Sequence, residues 1–62
     1  MKLYVYETEE NSLVAIVNGE TNEECERKAD EAGFDSDIYG WTYSPAFGCN
    51  DGLVDNSDAI EI

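Results

Sequence analysis

The side chains that could do chemistry in this sequence are almost all carboxylates. Fifteen aspartates and glutamates stand against three basic residues and no histidine, which gives the 62-residue chain a formal net charge of -12 at pH 7. General acid–base catalysis needs a cleft that moves the pKa values of two carboxyl groups apart, and a chain this short buries too little surface to build one. We therefore expect a single domain, residues 1–62, that is not an enzyme and acts through its negative surface.

A calcium site is not expected either. The segment 35–40 matches the first, third and sixth positions of a calcium-binding loop. However, Tyr39 occupies a ligand position, and Ala46 stands where the pattern requires a bidentate glutamate. The run of aspartates in this segment is therefore not interpreted as a metal site.

The two cysteines, Cys25 and Cys49, do not indicate thiol or zinc chemistry. Two cysteines without histidine make no zinc ligand set, and no histidine is present to activate a nucleophilic thiol. We expect Cys25 to be a small core residue, both thiols to be reduced, and the domain to hold no metal or cofactor.

The distribution of charge indicates the kind of partner. Residues 29–62 contain eight acidic residues and no base. Such a surface repels nucleic acids and anionic membranes, and it attracts basic protein surfaces. No apolar stretch reaches the roughly 20 residues needed to cross a bilayer. Two alternatives stay open, namely a diffusely acidic surface that only keeps the domain soluble, and adaptation of the source proteome to high salt.

The first third of the chain predicts a β-hairpin. Residues 2–7 alternate so that Leu3 and Val5 share one face, and Tyr4 and Tyr6 share the other. A polar turn over residues 8–11 follows. Residues 12–17 are nearly all apolar and rich in β-branched types, which is typical of a second strand.

The boundaries of a helix are well marked. Thr21 stands three residues before Glu24, the spacing of a capping box, so the helix should begin at residue 22. Gly33 is suited to the left-handed position after the last helical residue, with Phe34 placed to pack back on the helix. Small residues recur at positions 25, 29 and 32, so one face of the helix can lie close to a sheet.

A third strand is predicted over residues 39–43, where Tyr39, Trp41 and Tyr43 alternate with smaller residues before Pro45. If the helix crosses back over the hairpin, this strand pairs antiparallel beside the first. The predicted fold is α+β: a β-β-α-β arrangement with a three-stranded antiparallel sheet, order 2-1-3, covered by one helix. The remaining residues are predicted to form an irregular acidic tail.

Helical spacing selects the candidate partner-binding acids. Glu23, Glu26 and Asp30 fall on one stripe of the helix, with neighbours about 5–6 Å apart, and Asp35 and Asp37 follow just beyond it. Within the helix, the spacing also predicts the ion pairs Glu23–Arg27 and Glu24–Lys28. A 62-residue domain has a diameter of roughly 27 Å. Duplex DNA carries about 16 charges over that length, close to the fifteen carboxylates here.

The run Tyr39-Gly40-Trp41-Thr42-Tyr43-Ser44-Pro45-Ala46-Phe47, the small size and the acidic excess resemble those of phage-encoded anti-CRISPR proteins, in particular the DNA-mimic kind that inhibits type I-C Cascade. The resemblance implies a cofactor-free monomer in the cytoplasm of the bacterial host. It also implies that the chain occupies the surface on which Cascade reads the protospacer-adjacent motif. The negative charge separately predicts that the chain does not bind DNA itself. The resemblance assigns no functional role to any particular residue of this sequence. An acidic phage domain that inhibits a restriction enzyme, a nuclease or a repressor is the alternative.

Overall fold

In the part of the chain that the structure describes, one helix packs on a four-stranded mixed sheet. The computed structural model describes residues 1–47 and 52–62. The elements in chain order are β1 Lys2–Glu7, β2 Ser12–Asn18, α1 Asn22–Glu31, β3 Gly40–Thr42 and β4 Ile60–Glu61. The strand order is β3-β1-β2-β4, in which β1 is antiparallel to β2 and β3, while β4 is parallel to β2. The α+β class is therefore confirmed, and the prediction of a three-stranded, wholly antiparallel sheet is wrong.

The β1–β2 hairpin forms where the alternation predicts it. Leu3 and Val5 are buried, whereas Tyr4 and Tyr6 on the opposite face are half-buried. The turn is closed by the Glu7 carboxylate, which accepts hydrogen bonds from the backbone N–H groups of Glu9 and Glu10. The hairpin register shifts between Val5 and Tyr6, so a bulge lies near the turn.

Both ends of α1 are capped where predicted, although the Glu24 carboxylate accepts from the N–H of Glu20 rather than from that of Thr21. The backbone N–H of Glu24 donates to Thr21 Oγ1 at 3.1 Å. At the other end Gly33 has φ 90°, and the N–H groups of Gly33 and Phe34 donate to the carbonyls of Asp30 and Ala29, the two hydrogen bonds of a Schellman motif. No helix in the described ranges is long and apolar enough to cross a membrane.

The core lies between α1 and the hairpin. Six side chains in it have no exposed surface: Leu3, Val5, Ala15, Val17, Cys25 and Ala29. The two helical members are small, as the sequence predicts, whereas Ala32, the third small residue of the predicted face, is exposed at the C-cap. Cys25 is a free thiol. Cys49 lies outside the described residues. Trp41 packs against this core, and its Nε1–H donates to the Phe34 carbonyl at 2.9 Å.

The third strand is shorter than predicted. β3 contains three residues, and its register pairs Trp41 with Val5 and Gly40 with Tyr6. The Tyr6 ring occupies the space into which a side chain at position 40 would project. β3 lies beside β1 and antiparallel to it, as predicted.

The tail is not wholly irregular. Val54 makes a parallel bridge to Ser12, and β4 continues along the same edge of β2. Backbone hydrogen bonds connect Ile62 to both Ile16 and Asn18. A two-residue strand has no period to detect, because its pairing depends on a distant edge of β2 rather than on local pattern.

We expect Gly40→Ala to destabilise the fold by about 1–3 kcal/mol, because the added methyl group must displace the Tyr6 ring. Urea unfolding followed by tryptophan fluorescence measures this change. In a Tyr6→Ala background the same substitution should cost much less, because the ring is gone. An equal cost in both backgrounds would show that the Tyr6 ring is not the cause.

Candidate functional site

The helix stripe of Glu23, Glu26 and Asp30 lies on the exposed side of α1. All three side chains are exposed, while Cys25 and Ala29 face the sheet. The Thr21 cap fixes where the helix begins, so it also fixes which direction each acid faces. The structure therefore brings these three predicted residues together, as helical spacing requires.

Glu26 is held in place by a residue outside the helix. The Tyr43 hydroxyl lies 3.1 Å from Glu26 Oε2 and 3.2 Å from the carbonyl oxygen of Asn22, in position to donate to either. Tyr43 follows β3 in the chain, so this contact ties the stripe to the β3 side of the sheet. A carboxylate with a fixed hydrogen-bond donor has fewer orientations to lose when it binds a partner.

The environment of Tyr43 alters its ionisation. Burial raises the pKa of the Tyr43 phenol to about 12, and the hydrogen bond and negative charge of Glu26 add to the increase. The phenol, the form that can donate to Glu26, therefore stays protonated in alkaline solution above the ordinary tyrosine pKa of about 10. Tyr43 is not among the site residues that the sequence predicts. The sequence signal for it is its alternation with Trp41, and both side chains pack against the core.

Asp35 and Asp37 are brought together in the turn after the helix. Asp35 Oδ1 accepts the backbone N–H of Asp37 at 2.9 Å, and the Asp35 carbonyl accepts from the N–H groups of Ile38 and Tyr39. The Tyr39 ring packs edge-on against Phe34 with centroids 5.5 Å apart. Both aspartates are exposed, so this turn presents two further carboxylates on an ordered backbone.

The basic residues leave the five predicted acids unpaired. In the parts of the chain that the structure describes, the ion pairs are Lys28–Glu24 at 3.7 Å and Lys2–Glu61 at 4.0 Å. The predicted Glu24–Lys28 pair thus forms, and the predicted Glu23–Arg27 pair does not. Lys28 also donates to the Asn18 carbonyl at 2.8 Å, which directs its charge towards β2.

Glu24 differs from the stripe in its surroundings. The backbone N–H of Glu20 donates to its carboxylate and holds the pKa of Glu24 below its usual value, while Lys28 and Arg27 lower it further. This carboxylate completes the N-terminal cap and neutralises nearby bases. It is less free to contact a partner than Glu23 or Glu26.

The described residues offer little for other chemistry. Within the two described ranges, 1–47 and 52–62, no group of three or more histidine, cysteine or acidic side chains could hold a metal ion. A surface depression of about 160 Å³ lies near Tyr6, Thr42, Pro45 and Leu53. It is smaller than the several hundred Å³ of usual small-molecule sites and lies apart from the acidic stripe. A larger open depression of about 290 Å³ lies at the start of α1, lined by Thr21, Glu23, Glu24 and Arg27.

The chain matches no protein-family model, no curated protein and no solved structure. The function of the acidic surface must therefore be inferred from its geometry and charge.

We expect Glu26→Gln to lower the pKa of Tyr43 part of the way from about 12 towards its ordinary value of about 10, because the negative charge is removed while burial remains. Tyrosinate absorbance during an alkaline titration measures this. The folded state holds the phenolic proton more tightly than the unfolded state. The stability gained is therefore complete below about pH 10 and is lost as the pH rises through about 12.

Tyr43→Phe should accordingly lose less stability than wild type over that pH range. A Tyr43 pKa that is unchanged in Glu26→Gln would contradict the assigned contact.

Proposed function

We propose that this protein is a phage-encoded anti-CRISPR inhibitor. In this proposal it binds type I-C Cascade as an acidic mimic of duplex DNA, and it blocks recognition of the target at the protospacer-adjacent motif. The observation that carries the proposal is a set of five exposed carboxylates that have no ion pair within residues 1–47 and 52–62, on a chain of net charge -12. The resemblance of the sequence to anti-CRISPR proteins supplies the particular partner.

The dimensions of the domain support mimicry of a nucleic acid. The described residues extend over 30 × 20 × 19 Å. A DNA duplex as long as the longest of these dimensions, 30 Å, carries about 18 phosphate charges. The chain has fifteen carboxylates. The density of negative charge along the long axis is therefore comparable to that of the ligand it would replace.

Fixed geometry supports the same conclusion. Tyr43 holds Glu26, the Thr21 cap orients the stripe, and the Asp35 turn orders the backbone beyond the helix. Charges that are already positioned lose little conformational entropy on binding.

In the proposed mechanism the carboxylates take the positions of DNA phosphates on lysine and arginine side chains of Cascade. Association releases counterions, and the bulk of the domain then excludes the duplex. No bond is made or broken, and no cofactor is used. The domain acts as a monomer in the cytoplasm of the bacterial host.

The alternative is an acidic phage domain that inhibits a different nucleic-acid-binding protein, such as a restriction enzyme, a nuclease or a repressor. The same unpaired carboxylates favour it, because charge complementarity indicates a basic DNA-binding surface but does not identify the protein that carries it. Titration against purified type I-C Cascade distinguishes the two. Lack of binding to Cascade would favour the alternative.

The triple variant Glu23→Gln, Glu26→Gln and Asp30→Asn should compete with target DNA for Cascade at least about tenfold less well, a loss of ~1.4 kcal/mol. The amides preserve shape and remove charge, so binding should also become less dependent on salt. Competition assays at several salt concentrations measure both changes.

A matched control removes the same charge elsewhere. Glu9, Glu10 and Asp58 are exposed, and no hydrogen bond of their carboxylates is found within the described residues. The variant Glu9→Gln, Glu10→Gln and Asp58→Asn should retain most of the competition. If the control variant competes with DNA as weakly as the stripe variant, the loss is due to net charge alone. If both variants compete as well as wild type, charge mimicry is wrong.

We also expect no saturable binding of the protein to duplex DNA, because the two surfaces carry charge of the same sign. A gel-shift titration at low salt tests this, with a basic DNA-binding protein as the positive control. A concentration-dependent shifted band with this protein would overturn the proposal that it replaces DNA.

A further inference from the structure

One edge of the sheet carries exposed apolar side chains. Val54, Ile60 and Ile62 follow one another along β2, and they are 55%, 50% and 41% exposed. They lie on the opposite edge from β3, the side to which Tyr43 ties the acidic stripe. This edge is therefore a separate surface from the one assigned to DNA mimicry.

The backbone of β4 leaves hydrogen-bonding groups facing outwards. The N–H of Ile62 donates to Ile16, and the carbonyl of Ile62 accepts from Asn18, so both groups of Ile62 face β2. Backbone groups alternate in direction along a strand, so the N–H and carbonyl of Glu61 face away from the sheet. Glu61 therefore offers the donor–acceptor pair that an added strand uses.

The side chains of β4 are sorted between the two faces. Ile60 pairs with Ala15 and lies on the helix side of the sheet. Glu61 lies on the other side, where its carboxylate accepts from Asn18 Nδ2 at 2.9 Å and sits 4.0 Å from Lys2 Nζ. The ion pair is half exposed and therefore weak. A strand added here would meet apolar, acidic and apolar side chains in turn.

Charge complementarity selects the occupant. Residues 29–62 contain no base, and Asp55, Asp58 and Glu61 are all exposed near this edge. A second copy of the chain would bring like charges together, whereas a basic segment would be attracted.

We propose that the β4 edge binds an extended segment of a partner protein in which apolar and basic side chains alternate. The apolar side chains pack beside Ile60 and Ile62, and a lysine or arginine lies opposite Glu61. The segment extends the sheet by pairing with the backbone of Glu61. This contact is independent of the acidic stripe.

The test uses the full chain and a short capped peptide in which valine alternates with lysine. Binding is followed by NMR, and the largest amide shifts are expected at Ile60, Glu61 and Ile62. Glu61→Pro removes the outward N–H, and proline is tolerated on edge strands where that group faces solvent. Glu61→Ala removes the same carboxylate and keeps the N–H. We expect Glu61→Pro to bind the peptide about tenfold more weakly than Glu61→Ala.

Three results would overturn the proposal: no binding of the peptide, equal affinity of the two variants, or loss of binding in the Glu23, Glu26 and Asp30 variant instead. Sedimentation showing a dimer that Glu61→Pro disrupts would replace the proposed occupant with a second copy.

If Glu61→Pro does not fold, a peptide N-methylated on its pairing edge tests the same contact with the wild-type protein. Loss of its binding supports strand addition, and retained binding overturns it. None of these outcomes depends on whether Cascade binds the stripe.

Discussion

The packing of Cys25 and Ala29 against the β1–β2 hairpin is the contact on which the rest of the structure depends. A net charge of -12 on 62 residues opposes compaction, because the carboxylates repel one another. The opposing contribution comes from a few fully buried side chains. Since both helical members are small, α1 lies close to the sheet and leaves its outer side free for charged residues. The helix can thus bury a narrow face of small residues and still present several acidic residues on its exposed side.

Local signals account for the parts of the fold that could be predicted. The alternation in β1, the Thr21 cap and Gly33 each depend on a few neighbouring residues, so their positions follow from the sequence alone. β4 depends instead on contact between residues more than forty positions apart, such as Asn18 with Glu61. Its two residues carry no periodic pattern, so the number of strands and the parallel pairing were beyond sequence reasoning.

The candidate site divides in the same way. Helical geometry determines that Glu23, Glu26 and Asp30 share a stripe, and this was predictable. The contact between Tyr43 and Glu26 joins residues seventeen positions apart in sequence. It depends on where β3 lies relative to α1, which no local pattern specifies. The absent Glu23–Arg27 pair shows a further limit, because exposed ion pairs are weak enough for side-chain entropy to decide them.

Charge and backbone geometry would contribute differently to the recognition proposed for this domain. Carboxylates attract any basic surface over a distance of roughly a Debye length, so they accelerate association without selecting one partner closely. Selection requires contacts at fixed positions, which depend on shape and hydrogen-bond direction. In this fold such positions arise where hydrogen bonds constrain the acids, at Glu26 through its long-range contact with Tyr43 and at Asp35 through its local turn. The outward backbone of Glu61 is directional for a different reason, because the ladder to β2 fixes it. The fold therefore adds directional contacts to a charge that composition alone already provides.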